Sequence, residues 1–309
     1  MAKMLNFDIL FDSRLTEFIT KHDINISNEY ALSMINDYED KVWRYKYFLT
    51  FIWDNIIETA LSKNERESLV ENQYSSLIEA AKNLRLTDSD KDPGKGSEIA
   101  EIALYGILKY HYKALSIVPK IFYKQNANDY AKGADSVHII LSDDSNDFSL
   151  WFGEAKFYKS IDDSNFNEII NSVEKLLQPE KIKKENKIIT NLKDIELCIP
   201  NKEMHDKIIE TLSGDISLDY IRPKLHIPIL LLYECNITAK YCEKSINYVE
   251  ETSNYHRERA EAYFRKQISR LSEIPKYENV HFHLIIFPVP DKQKIVEEFT
   301  KQAKVFRRE

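Results

Sequence analysis

An acid and a lysine two residues apart, Glu154 and Lys156, stand in the apolar and aromatic segment LWFGEAKFY. In a strand, successive side chains point to opposite faces, so this carboxylate and ammonium lie side by side while Gly153, Ala155 and Phe157 take the other face. An acid-x-Lys triplet recurs by chance in a chain this rich in both residue types, and a surface ion pair is the bland alternative. The surroundings favour chemistry: unpaired charge in an apolar strand costs several kcal/mol, comparable with a domain's whole stability. Asp135 supplies a second carboxylate, directly after Gly133 and Ala134, at the start of the preceding strand ADSVHIIL. Antiparallel pairing brings the start of one strand beside the end of the next, so Asp135 and Glu154 converge at one margin of a sheet. Glu98, in the first turn of the helix SEIAEIALYGILKYHY, offers a third acid, with Glu101 beside it on the same helical face. Its competing use is to complement the helix dipole. Two or three carboxylates beside one lysine suit Mg²⁺, or Mn²⁺ in its place, because a hard cation takes few protein oxygens and keeps water and phosphate oxygens for the rest. Zinc fits less well. In such a site the lysine holds or deprotonates the attacking water, and the metal withdraws charge from a phosphoryl transition state.

Other constellations are weaker. PGKGSE resembles a phosphate loop, but Ser89 occupies the first glycine position of a Walker motif and Gly96 intrudes after Lys95. His281 and His283 share a strand face without a Cys or acid at ligand spacing, which reads as packed histidines. His138 lies three residues after Asp135, on the opposite face of a regular strand, and is left out of the site. Neither G-x-S-x-G nor H-E-x-x-H occurs. Candidate phosphate contacts are Arg257, Arg259, Arg265, Lys266 and Arg270 on a long helix, Lys301, Lys304, Arg307 and Arg308 near the end, and the KIKKENK stretch. Alternating charge on a long helix is more often a solvated face. Lys120, near a strand end, is read as solvated. The aromatic run around Trp43, Tyr45, Tyr47, Phe48, Phe51 and Trp53 is read as core, with a partner surface as the alternative.

The elements that must position these residues follow from periodicity. Residues 1 to about 90 read as helical, with an opening strand signal only in LNFDILF; TDSDKDPGKGS then breaks the pattern. This divides an N-terminal, mainly helical region over 1–92 from a core over 93–309. In the core the order is helix, three strands (SIVPKIFYK, ADSVHIIL, FSLWFGEAKFY), helix, a charged insertion at about 180–222, then strand, helix, strand, helix. The class is α/β. The 309 residues, 43% hydrophobic and 30% charged, have ordinary globular composition. No apolar run reaches the roughly 18 residues of a membrane span, and no secretory signal pattern opens the chain. Cys198, Cys235 and Cys242 form no framework, which fits a reducing compartment, so a cytoplasmic location without membrane attachment is expected. The net charge of −7 means that DNA cannot be attracted by the whole-chain field, and any contact needs a local patch or a partner that delivers it.

The order helix, strand, Asp-strand, Glu-x-Lys-strand, helix resembles the PD-(D/E)xK nuclease superfamily, with Gly133-Ala134-Asp135 in the PD position, lacking its proline, and Glu154-Ala155-Lys156 as the second element. More closely, KGADSVHIIL and LWFGEAKFY, with PGKGSEIAEIALYGIL and VPKIFYK before them, resemble HamA, the effector nuclease family of Hachiman anti-phage systems, and the related AbpA. The specific resemblance covers residues 93 to 160. It implies a restriction-endonuclease-like core, a mixed sheet flanked by helices. It also implies metal binding by Asp135 and Glu154, water activation by Lys156, and a supporting, metal-proximal carboxylate in Glu98. Beyond the site it implies a Mg²⁺-dependent deoxyribonuclease that works on DNA with a superfamily 2 helicase, HamB-like, as partner. The alternatives are a non-catalytic nuclease-like subunit that regulates or loads a helicase, and an RNase toxin using the same site.

Overall fold

The computed structural model describes residues 7–19, 28–85, 96–125, 133–142, 146–191, 199 and 201–308. Its centre is a seven-stranded mixed sheet in the order β1-β2-β9-β8-β7-β6-β5. The strands are β1 (Asp8–Arg14), β2 (Glu29–Ile35), β5 (Leu115–Val118), β6 (Ser136–Leu141), β7 (Phe148–Tyr158), β8 (Leu225–Glu234) and β9 (His281–Val289). A two-stranded ribbon, β3 (Tyr38–Glu39) with β4 (Val42–Trp43), stands apart. β2, β9, β8 and β7 run parallel, while β1, β6 and β5 are added antiparallel at the two margins.

Helices cover both faces, as buried parallel strands require. One face packs α1 (Tyr45–Ala60), followed by the short α2 (Lys63–Ser68), with α3 (Gln73–Lys82), α4 (Ser97–Tyr110) and the closing helix Lys292–Arg307 onto Trp151, Ala155, Phe157, Leu230, Leu232, Ile285 and Phe287. The other packs α6 (Asp163–Leu176), α7 (Pro179–Asn191), the helix Lys202–Thr211 and the long helix Ile246–Leu271 onto Leu150, Phe152, Ile227, Ile229, Leu231, Leu284 and Ile286. Residues of β7, β8 and β9 alternate between these two cores, the period of two that an extended chain imposes. The charged pair of β7 therefore belongs to the face covered by α6 and α7.

Several expectations are corrected. The N-terminal region is α-helical only from Tyr45: β1 and β2 precede it and extend the same sheet that holds the core strands. The opening strand signal in LNFDILF falls on β1, whereas β2 was not expected, because, buried on both faces, it carries an almost unbroken apolar run with little alternation. The strand expected through Lys120 stops at Val118, and Lys120 opens the short helix α5 (Lys120–Gln125) after Pro119, a residue that cannot donate to a ladder. The charged insertion forms helices; α7 carries its apolar residues Ile182, Ile188 and Ile189 against the core. The linker around residue 92, including Ser89, Gly94 and Lys95, and Cys198 lie outside the described residues. Cys235 is buried and Cys242 exposed, both as free thiols.

Candidate active site

β6 and β7 pair antiparallel from Leu141↔Phe148 to Ser136↔Gly153. One further step of this register sets Asp135 opposite Glu154. The chain around Asp135 is tied down twice: its N–H donates to the Gly153 carbonyl at 2.8 Å, and its Oδ2 accepts the Ala155 N–H at 3.1 Å. Glu154 and Lys156 lie next to β8, paired with Ile229 and Leu231 in parallel register. Glu154 is 6% exposed, a buried carboxylate in the largely apolar strand β7. Asp135, Glu154 and Lys156 line one pocket of about 310 Å³ together with Gly133 and with Ser172, Lys175, Leu176 and Lys181 of the α6–α7 elbow. The three residues expected to converge do so.

Glu98 does not join them. Both of its oxygens accept the Arg85 N–H at 2.9 Å, which fastens the end of the α3 segment to the start of α4. The start of α4 is set by Gly96, whose φ of +87° is the left-handed conformation that glycine adopts without strain. One turn later, Glu101 is 7% exposed and lines a small chamber of about 10 Å³ with Tyr105, Lys120, Asp135, Ser136 and His138. Asp135 is common to the linings of chamber and pocket. The helix carboxylate near Asp135 is thus Glu101. Sequence alone favoured Glu98 because a helix's rotation about its axis relative to the sheet is a packing outcome that three residues of spacing do not reveal.

Three residues gain roles that the sequence did not assign. Lys120, read as solvated, is 3% exposed and its Nζ lies 2.7 Å from Glu185 Oε2; Glu185 is fully buried. Glu185 Oε1 accepts the Ala134 N–H at 2.9 Å. His138 is buried against the Tyr105 ring, 5.3 Å between centroids, and neither ring nitrogen hydrogen-bonds to another described residue. Burial pushes its pKa down to about 3, so the ring is neutral at physiological pH. The signal for Glu185 was its place in KIKKENK, where it is the one acid among four lysines.

The lysines facing the pocket differ from the bases expected on the long helix. Arg259 pairs with Asp163, Arg265 with Glu261 and Arg270 with Glu174; Lys266 donates to the Asp163 carbonyl, and Arg257 covers the rings of Phe11 and Phe18. Arg307 donates to the carbonyls of Ala81 and Leu84. These groups are engaged within the protein, chiefly in holding the long helix to α6. Lys156, Lys175 and Lys181 have no ion-pair partner among the described residues. His281 and His283 also prove to be packed: His226 Nδ1 and His283 Nε2 are 2.9 Å apart, with Trp151 stacked on both rings of that pair.

Two carboxylates beside an open, lysine-rimmed pocket fit a magnesium-like ion, which needs few protein ligands and retains water. Among the described residues no group of three or more His, Cys, Asp or Glu side chains is placed to hold a metal. The model of the family described as HamA matches residues 11–303, a span containing every strand from β2 onward and all of the site. The chain belongs to the HamA family. The HamA match extends well beyond the 93–160 segment that carried the resemblance, taking in most of β1 and all but the last turn of the closing helix. No curated protein matches the chain. Among the described residues no helix is long and apolar enough to cross a membrane.

Proposed function

We propose that this HamA-family chain is a PD-(D/E)xK-type, Mg²⁺-dependent deoxyribonuclease, the effector of a Hachiman anti-phage system acting with a helicase partner. The observation that carries the reading is Asp135, Glu154 and Lys156 on one pocket lined by two more lysines that have no ion pair among the described residues. Three ammonium groups against two carboxylates suit a phosphodiester that brings its own negative charge. The family match supports the defence assignment, and the net charge of −7 is consistent with DNA delivered by a partner.

Asp135 and Glu154 would hold the ion, which when bound supplies charge neutralisation at the phosphoryl oxygens and the leaving oxygen. The Ala155 N–H fixes one oxygen of Asp135, and pairing with Ile229 fixes the stretch of backbone from which Glu154 projects, so the Asp135 carboxylate is held in place as charge develops. Lys156, one residue beyond Ala155 on the Glu154 face, donates to the attacking water or to a non-bridging oxygen. Lys175 and Lys181 contact phosphates at the pocket mouth. Leu176 supplies the apolar part of the wall and limits the water that competes for those contacts.

The test incubates the purified chain, alone and with its helicase partner, with plasmid, linear DNA and single-stranded RNA in Mg²⁺ or EDTA. Metal-dependent DNA cleavage lost in Glu154→Ala and Lys156→Ala, with folding intact, supports the reading. Cleavage of RNA alone assigns the site to a ribonuclease, and partner binding without cleavage of either assigns the chain to a non-catalytic subunit.

A further inference from the structure

We infer that Glu185 of α7, with Lys120 as its counter-charge, is the positioning residue that sets the Asp135 carboxylate into the metal site, an inference resting on the metal reading above.

The backbone of residues 133–135 needs partners for two consecutive N–H groups, those of Ala134 and Asp135. Ala134 presents its N–H away from the strand pairing, and Glu185 Oε1 accepts it at 2.9 Å; the next N–H, of Asp135, goes to the Gly153 carbonyl at 2.8 Å. The two hydrogen bonds hold consecutive peptide units from opposite sides, one from a helix and one from the neighbouring strand. Gly133 makes the first possible: a Cβ there would sit 1.7 Å from Glu185 Oε1, so the carboxylate occupies the space that any other residue would fill. This is a requirement of room, not of backbone dihedral.

Glu185 is itself held. Its second oxygen takes the Lys120 ammonium at 2.7 Å, with the two side chains 3% and 1% exposed. A buried ion pair gains little stability over an apolar pair of similar shape, because desolvation offsets attraction. Its presence directly behind a candidate ligand is better explained by aim than by stability. Removing one side-chain contact behind a metal ligand characteristically lowers metal affinity by about ten- to a hundredfold.

The test uses the full chain and Mn²⁺ alone, titrated by electron paramagnetic resonance, with amide hydrogen exchange as the second readout. Lys120→Met/Glu185→Leu removes both charges and the acceptor for Ala134. It is expected to fold, to bind Mn²⁺ about tenfold more weakly, and to exchange the Ala134 and Asp135 amides about tenfold faster than wild type, with the rest of β6 and β7 unchanged. Lys120→Met/Glu185→Gln keeps an amide oxygen for Ala134 and is expected to restore both. Equal behaviour of the two pairs, whether wild-type or impaired, overturns the inference. Glu185→Asp, one methylene shorter with the charge kept, gives an independent check: its carboxylate cannot span both partners, and wild-type exchange at Ala134 would count against the role. If wild type and Asp135→Ala bind Mn²⁺ alike, the metal reading fails, and the exchange comparison by itself still decides whether Glu185 positions Asp135.

Discussion

The Asp135 carboxylate accepts the backbone N–H of Ala155, the residue between Glu154 and Lys156, at 3.1 Å. One acid is thereby fixed to the strand that carries the other acid and the lysine, and the three groups move as a unit. A single substitution in this unit should abolish function without unfolding the chain. Asp135→Asn, Glu154→Gln and Lys156→Met are each expected to reduce Mg²⁺-dependent DNA cleavage by about 10²-fold or more, the scale seen when one preorganised electrostatic group is removed. Initial rates on linear DNA, beside thermal unfolding curves, check this; activity within tenfold of wild type in Glu154→Gln would remove Glu154 from the chemistry.

Glu98 and Glu101 make a paired test of helix rotation. Glu98→Gln loosens the link to the Arg85 N–H and is expected to leave cleavage within about twofold, at a stability cost of ~1 kcal/mol for one charge-assisted hydrogen bond. Glu101→Gln, beside Asp135 in the chamber, is expected to lower cleavage by at least tenfold on the general scale of groups that tune a metal ligand. Rates and urea midpoints for the two variants decide, and the opposite ranking would return the role to Glu98.

Lys175 and Lys181 should appear in the salt dependence of binding. Each phosphate contact contributes about 0.9 to the slope of log K against log salt on duplex DNA. Lys175→Ala/Lys181→Ala is therefore expected to flatten the slope by about 1.8, measured by fluorescence anisotropy in EDTA across a potassium chloride series. Arg259→Ala and Arg270→Ala, whose partners are Asp163 and Glu174, should leave the slope unchanged.

The buried histidines predict acid sensitivity with a definite sign. His138, His226 and His256 are each pushed down to about 3 by burial, His226 also by the neighbouring His281. Unfolding returns each toward the ordinary value near 6.5, so between about pH 3 and 6.5 the unfolded chain binds more protons. Their stabilisation is complete above about pH 6.5 and is lost as pH falls through that window, by up to ~1.4 kcal/mol per pH unit for each group. His138→Phe removes one such group, and with it two ring nitrogens that make no hydrogen bond to the described residues. The variant's unfolding free energy, by urea titration from pH 8 to 5, should fall less steeply by about one proton; an unchanged slope would mean that His138 takes up its proton over the same pH range in the folded and the unfolded chain.

Much of the local structure was legible beforehand. Strict alternation in FSLWFGEAKFY placed Glu154 and Lys156 on one face, and the short hairpin to ADSVHIIL placed Asp135 near them, because strand parity and antiparallel register are local consequences of sequence. The opening strand signal in LNFDILF pointed to β1, but its place in the sheet was not legible: β2 joins β9 across some 250 residues of chain, and nothing local announces such a partner.

The sequence by itself determined which residues share a strand face, since that depends only on the extended backbone's period of two. It also determined the charge balance, and with it the need for a local rather than a global attraction for nucleic acid. Only tertiary structure decided that Glu101 rather than Glu98 faces Asp135, that Lys120 is buried against Glu185, and that the long helix's arginines are engaged at home while Lys175 and Lys181 reach the pocket. Each of these depends on how a helix is rotated and docked against the sheet, and that is fixed by the packing of side chains far apart in the chain.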